Sequence, residues 1–343
     1  MTDRVLSERA LNRALLARQL LLERATLSIE DAVEQVGGLQ TQYAPSGYVG
    51  LWSRLAEFRR GALTEALEDR TVIQATLMRT TIHMVSRREF WRYAAGVRHA
   101  RRAWALRTPG QAADEAEMIE AAARLRAALA DGPRTVKELG ALGAGFVGSL
   151  GLWVDLVRVP PSGTWDRRRA DRLGLAEDWV GPDDATEAEG LEHLVRAYLR
   201  AFGPAAWRDI ASWAGISVGE AQQGGGGLGL VRYRDEKGKE LVDLPAAPLP
   251  DPEVAAPVRF LPHWEASLLV HARRTGILPE EYRPRVFSTR NPFSVGTYLV
   301  DGRVAGAWSL RDGRVVLDPY EKLGVRDGRA VEDEREALEA FHA

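Results

Sequence analysis

Val72-Ile-Gln-Ala-Thr-Leu-Met78, Arg79-Thr80 and Thr81-Ile-His-Met-Val85 read as two strands joined by a tight turn, because β-branched and apolar residues run on both sides of a short polar break. Three helical signals precede this hairpin. Leu11, Leu15, Leu16 and Leu20 repeat at helical spacing, Ser28-Ile-Glu-Asp-Ala-Val opens a second helix at a capping serine, and Gly37-Gly38 closes it before a third. The order of helix, helix, helix, hairpin then recurs. Met118, Ile119, Ala122, Leu125 and Leu129 lead to Pro133-Arg-Thr-Val-Lys-Glu-Leu and Gly140, then to strand-like 156–159, the loop Pro160-Pro161-Ser-Gly and Thr164-Trp165. Leu191, Leu194, Val195, Tyr198 and Leu199 lead to the proline-started helix at Pro204-Ala-Ala-Trp-Arg-Asp-Ile, to Gly215, and to runs 228–234 and 240–244 around Asp235-Glu-Lys-Gly-Lys. This is the winged-helix order.

The expected fold is therefore α+β, mainly α, with three tandem winged-helix units at 1–109, 110–183 and 184–250. A proline-rich crossing segment at 245–257 precedes a β-rich subdomain at 251–343. There Asp301-Gly302 and Asp312-Gly313 join runs 297–300, 304–310 and 314–317 into a meander with type I′ turns. A helix over 332–342 closes the chain.

A chain of 343 residues with 45% hydrophobic and 27% charged residues has the composition of a soluble protein with more than one core. No apolar run is long enough to cross a bilayer, and the N-terminus has no signal-peptide pattern, so a cytoplasmic, nucleoid-associated location is expected. With no cysteine, thiolate nucleophiles, iron-sulfur clusters and cysteine zinc sites are excluded. The histidines lack metal-ligand spacing, and Gly224-Gly-Gly-Gly227 lacks the lysine of a phosphate loop, so neither metal nor cofactor is expected.

The formal net charge is −2, but it is unevenly placed. Residues 1–109 hold 17 arginines against 11 acids, 110–203 hold 11 basic residues against 16 acids, and the remainder 18 against 21. Within 79–107, Arg79, Arg87, Arg88, Arg92, Arg98, Arg101, Arg102 and Arg107 face one acid, Glu89, and alternate with Phe90, Trp91, Tyr93 and Trp104. Such a segment suits a phosphate backbone. A solvated helix whose aromatic residues enter a core has the same composition. His83 and His99 lie in the segment as phosphate contacts or core residues.

In Gly37-Gly-Leu-Gln-Thr-Gln-Tyr-Ala-Pro-Ser46, Pro45 disfavours helical geometry at Ala44, so Gln40 to Tyr43 are expected to run extended or turned. Residues two apart on an extended chain point the same way, which aims the amides of Gln40 and Gln42 at one surface. They would hold one water there, or bond only the backbone of a tight turn.

Gly38-Leu39-Gln40-Thr41-Gln42-Tyr43-Ala44-Pro45, Leu77-Met78-Arg79-Thr80-Thr81-Ile82-His83-Met84-Val85, Leu261-Pro262-His263-Trp264-Glu265-Ala266-Ser267-Leu268-Leu269 and Val300-Asp-Gly-Arg-Val-Ala-Gly-Ala-Trp308 together resemble the winged-helix DNA glycosylases of the azinomycin-resistance (AlkZ-like) type. The resemblance spans nearly the whole chain. It implies three winged helices around a basic concave face for duplex DNA, a hairpin in the cleft, and a catalytic pair of glutamines matching Gln40 and Gln42. Three positions depart from the pattern: Thr41 where an apolar residue is usual, Thr80 where glycine is expected, and Glu265 where aspartate is more common.

Glutamine has no pKa near neutrality and cannot act as a general base, so the pair can only position. Positioning suffices for a purine alkylated at N7, whose positive charge lets the base depart neutral without an acid. The expected protein is a monomeric, monofunctional glycosylase acting on double-stranded DNA with N7-alkylated purines, including bulky adducts or interstrand crosslinks. The DNA contacts expected are Arg79, His83, Arg87, Arg88, Arg98, Arg101 and Arg102, with Arg285, Arg290 and Asn291 on a second DNA-reaching loop. The alternative is a winged-helix DNA-binding protein or transcriptional regulator without chemistry. No heptad repeat or dimerisation arm supports a regulator.

Overall fold

The computed structural model describes residues 4–107, 114–141, 151–269, 271, 276–287 and 294–343. Its strands, in chain order, are β1 (Arg4–Leu6), β2 (Leu39–Gln40), β3 (Val72–Thr76), β4 (Ile82–Ser86), β5 (Arg134–Thr135), β6 (Leu156–Arg158), β7 (Arg172–Leu175), β8 (Val231–Asp235), β9 (Glu240–Asp243), β10 (Arg259–Leu261), β11 (Gly296–Val300), β12 (Arg303–Arg311) and β13 (Arg314–Pro319). They form three sheets, ordered β2-β4-β3-β6-β7-β5, β1-β8-β9 and β10-β11-β12-β13. The opening hairpin forms as expected, with β3 and β4 antiparallel from Val72 opposite Ser86 to Thr76 opposite Ile82. It also pairs with β6 through Gln74 and Ala75, so the first two predicted units share one sheet.

The expected order of three helices and a hairpin appears in the last unit, where Glu187–Phe202, Trp207–Ala214 and Val218–Gly225 precede β8 and β9, whereas four helices, Glu8–Arg18, Ile29–Gln35, Pro45–Trp52 and Arg60–Glu68, precede β3 and β4, and residues 142–150 of the second unit lie outside the described residues. Several helices begin at reciprocal caps that satisfy orphan N–H groups. Asp114 with Glu117, Thr135 with Glu138, Thr186 with Glu189 and Ser217 with Glu220 each make such a box. The helix Glu187–Phe202 buries Leu191, Leu194, Val195, Tyr198 and Leu199, the residues whose spacing predicted it. It packs on the helix Phe90–Arg107 at Gly96 and Gly190, where a Cβ on either glycine would strike the other's backbone. Phe90, Trp91 and Tyr93 are buried in the core.

Arginine also serves inside the protein. Arg18 is buried on Asp243 through two bonds of 2.7 Å and donates to Leu199 O and Pro248 O. Arg13 reaches Val254 O. These bonds hold the proline-rich segment across the helix Glu8–Arg18. Arg54 and Glu265 form a second buried pair at 2.9 Å, and Glu265 also accepts from the Ser267 N–H and hydroxyl. The glutamate at the position where aspartate is more common is thus an anchor of the chain's turn.

The C-terminal meander follows its expectation closely. Asp301, Gly302, Asp312 and Gly313 all have positive φ, and Val300 pairs with Arg303 as Arg311 pairs with Arg314, which defines two-residue turns.

Five local expectations are corrected. The strand expected at 164–165 lies at Arg172–Leu175 instead. Ser162 Oγ donates to Arg169 O and accepts from the N–H groups of Asp171 and Arg172, so residues 160–171 fold as a side-chain-bonded loop. The helix expected at Pro204 begins at Trp207, because Ala205 is held in a backbone bridge to Val242. Ala44 adopts helical dihedrals despite Pro45, since Tyr43 O and Ala44 O already accept the N–H groups of Ser46 and Gly47 as the first turn of the helix Pro45–Trp52. Gly140 ends its helix without positive φ, whereas Gly37, Gly38 and Gly215 are left-handed as expected. The final helix is longer than expected, Val325–His342, because its polar first turns carry no apolar repeat to reveal them.

Candidate active site

Strand β2 places the glutamines. Leu39 lies opposite Met84 and Gln40 opposite His83, so Gln40 and His83 share one face of the sheet. Thr41 N–H then bonds Ile82 O, and its methyl group sits against Gly47, where the usual apolar residue would also pack.

The hairpin tip completes the arrangement. Arg79 and Thr80 both take positive φ, 51° and 56°. A β-branched threonine there is strained, and Thr80 keeps the left-handed backbone that the glycine expected at this position would take without strain. The tip docks on the end of the helix Trp207–Ala214, where left-handed Gly215 leaves room for the Arg79 backbone. Arg79 donates to Trp213 O, a carbonyl at the negative end of that helix, and to Gln40 Oε1 at 3.1 Å.

Both amide orientations are fixed by their partners. Gln40 Oε1 faces the Arg79 guanidinium, and Gln42 Oε1 accepts the Ile82 N–H at 3.1 Å. Guanidinium and backbone N–H can only donate, so in each side chain the oxygen must be the bonded atom. Among the described residues neither amide nitrogen has a partner. Each oxygen keeps its second lone pair.

The titratable groups of this cluster keep one charge state at neutral pH. Burial, reinforced by the Arg79 charge, lowers the His83 pKa to about 3, so its ring is neutral. Its Nδ1 donates to Thr81 O at 3.1 Å, which leaves Nε2 unprotonated, 3.4 Å from Arg79. Burial lowers the Arg79 pKa to about 10, still cationic at pH 7. No carboxylate is among the hydrogen-bond partners of these four residues in the described structure.

Most other arginines expected on DNA are engaged within the protein. Arg88 pairs with Asp31 at 2.6 Å and Glu34 at 2.8 Å, and Arg98 with Asp155 at 2.9 Å and Asp183 at 2.6 Å. Arg101 is buried on Asp155 and Thr76 O, Arg87 donates to Val180 O, and Arg102 lies over Trp153. His99 is exposed. Far from this segment, Arg285 pairs with Asp318 and covers the Tyr320 ring. Arg290 and Asn291 lie outside the described residues. The acids that neutralise the basic segment come from 31, 34, 155 and 183, beyond any local window of sequence.

Sequence reasoning missed a cleft beside the glutamine loop. Tyr43 meets His263 edge-on at 5.6 Å, His263 meets Trp308 at 5.9 Å, Trp308 meets His342 at 5.8 Å and His342 meets Trp165 at 5.3 Å. Arg168 lies over Trp165 and donates to Tyr43 Oη at 3.2 Å, closing the circuit. The cleft measures about 310 Å³. Its residues come from five separate segments, so no spacing signal could have gathered them.

The family model for AlkZ-like DNA glycosylases matches residues 33–341. No curated protein matches the chain in sequence. Among solved structures, Streptomyces sahachiroi DNA glycosylase AlkZ is similar in fold, with a TM-score of 0.81 at 21% identity over 98% of this chain and 97% of that one. Among the described residues no helix is long and apolar enough to cross a membrane.

Proposed function

The chain belongs to the AlkZ-like DNA glycosylase family and is a DNA glycosylase, and we propose that it hydrolyses the N-glycosidic bond of N7-alkylated purines with Gln40 and Gln42 positioning the water. The observation that carries this reading is the pair of amides whose oxygens are fixed by Arg79 and Ile82, with no carboxylate among their hydrogen-bond partners in the described residues and a neighbouring His83 whose pKa burial holds far below neutrality. A site of this kind can orient but cannot protonate a leaving base. It therefore requires a substrate that leaves unaided.

In the proposed reaction the water oxygen attacks C1′ as the C1′–N9 bond breaks. The bonding electron pair moves into the purine and cancels the charge at N7. One O–H of the water points to the spare lone pair of Gln42 Oε1, and the nearby amide nitrogens donate to the water or to phosphate oxygens. Arg79 withdraws electron density from Gln40 Oε1 and so strengthens its N–H groups as donors. The proton released from the water passes to solvent. The products are the neutral alkylated base and an abasic site, with the strand uncut because water and not an amine is the nucleophile. Bulky N7 adducts and crosslinks obey the same electronic requirement.

We read the helix, helix and hairpin repeats as three winged-helix units, at 1–109, 110–183 and 184–250, facing duplex DNA as a monomer, with the β-rich subdomain at 251–343. Exposed ion pairs such as Arg88 with Asp31 contribute little to stability and can exchange their acid for a phosphate, whereas buried Arg101 cannot. In the test, duplex DNA carrying N7-methylguanine is incubated with the protein and abasic sites are cleaved with alkali. Base release is expected from the wild type and not from the Gln40→Ala, Gln42→Ala double variant. Absence of release from any N7 adduct overturns the substrate reading, and unchanged release by the double variant overturns the site.

A further inference from the structure

The cleft bounded by Tyr43, His263, Trp308, His342, Trp165 and Arg168 is lined by a continuous circuit of side-chain contacts. Four successive ring contacts of 5.3 to 5.9 Å and one cation over a ring link its wall, and the 3.2 Å bond from Arg168 to Tyr43 Oη joins the two ends. Its volume lies at the low end of the roughly 300–1,000 Å³ typical of small-molecule pockets. That admits a flat group of one to three fused rings and excludes a peptide or a nucleotide chain.

Burial holds the pKa values of His263 and His342 below the ordinary histidine value, so both rings are neutral near pH 7 and offer faces and edges, while Arg168 brings a cation to the wall. The cleft also begins at Tyr43, the residue directly after Gln42.

We infer that this cleft is a receiving pocket for one flat aromatic ring system of the lesion, held by the surrounding rings. The inference rests on the glycosylase reading for the source of that ring, which is either the departing base or an aryl substituent on the alkyl arm. The recognition chemistry is the same for both. Stacking on aromatic side chains is worth enough to change occupancy by about tenfold or more for each ring.

Leu310 lines the rim and is 40% exposed, so Leu310→Trp fills the cleft from outside without disturbing a core. Arg168 is exposed, and Arg168→Ala opens the circuit with little risk to folding. Saturation-transfer NMR with free quinoline and free 7-methylguanine reads the pocket without catalysis. Transfer to at least one of them is expected in the wild type, reduced in Arg168→Ala and lost in Leu310→Trp, with thermal unfolding as the control for folding. Transfer that is absent, or that survives in both variants, overturns the pocket even if the protein is an active glycosylase.

Release of N7-benzylguanine and N7-methylguanine from duplex DNA then distinguishes the sources. A fall of about tenfold for Leu310→Trp confined to the benzyl adduct assigns the pocket to the substituent, and a fall in both assigns it to the base. Wild-type rates for both adducts overturn the inference. If the wild type releases neither adduct, the substrate reading fails, while ring transfer still decides the pocket.

Discussion

Replacing Arg79 with methionine separates positioning from folding. The guanidinium donates to Gln40 Oε1 and to Trp213 O without a carboxylate at its side, and burial holds its pKa down at about 10. Hydrogen bonds to charged groups contribute about 1.5–3 kcal/mol. If that energy holds the Gln40 amide in its working orientation, its loss costs about 10- to 150-fold in rate, at about 1.4 kcal/mol per tenfold. Stability should barely change. The variant loses two bonds but is relieved of burying an uncompensated charge, and such exchanges for an apolar side chain are often neutral or stabilising. Single-turnover release of N7-methylguanine from duplex DNA measures the first quantity, and thermal unfolding the second. The expected result is a lower rate constant at saturating protein with a transition moved by no more than about 2–4 °C, the shift that roughly 1 kcal/mol produces in a protein of this size or somewhat smaller. Arg79→Lys should recover only part of the rate, because one ammonium cannot reproduce a two-armed fork. A wild-type rate for Arg79→Met, or a rate loss fully accounted for by unfolding, refutes the positioning argument.

Arg54→Met should lower stability by about 3–5 kcal/mol, since it strands Glu265 in the interior, and denaturant titration would show it. Base release should be nearly flat from pH 6 to 9, because His83, with its pKa near 3, is neutral throughout and no group in the cluster of four titrates there; a bell-shaped profile would contradict the absence of acid and base. Stability, by contrast, should fall on acidification. His83 and His193 have folded pKa values of about 3 against 6.5 when free, so the unfolded chain gains protons first as pH drops below 6.5. Each contributes up to about 1.4 kcal/mol of loss per pH unit down to about 3, read as a falling midpoint in urea. Binding to undamaged duplex DNA should weaken with salt, and Arg88→Ala should flatten that dependence more than Arg101→Ala, whose guanidinium is buried on Asp155.

The parts of the fold legible in sequence were those fixed by local chemistry. Asp301-Gly302 and Asp312-Gly313 can form few other turns between alternating strands, and Leu191 to Leu199 mark the buried side of a helix without outside help. The position of Gln40 and Gln42 was legible as an extended stretch between helices, but the partner of each oxygen was not. Arg79 reaches Gln40 only because its hairpin tip is lodged on the end of a helix some 130 residues later. The pairing of the basic segment within the protein was not legible for a related reason. A window counts its own charges, whereas Asp155 and Asp183, more than fifty residues later, pair with Arg98, and Asp155 also with Arg101. The strand β7 was hidden behind a loop organised by a single hydroxyl, that of Ser162.

The seam between β3 and β6 spans only two residue pairs, Gln74 with Arg158 and Ala75 with Val157. It nevertheless makes the strand leading to Arg79 a neighbour of the second repeat. Were that seam to open, β3 would present an unpaired edge, and such edges recruit other chains. A truncated protein ending before residue 110 should accordingly self-associate rather than stand alone. Amide exchange in the whole chain should find β3 and β6 opening as one cooperative block.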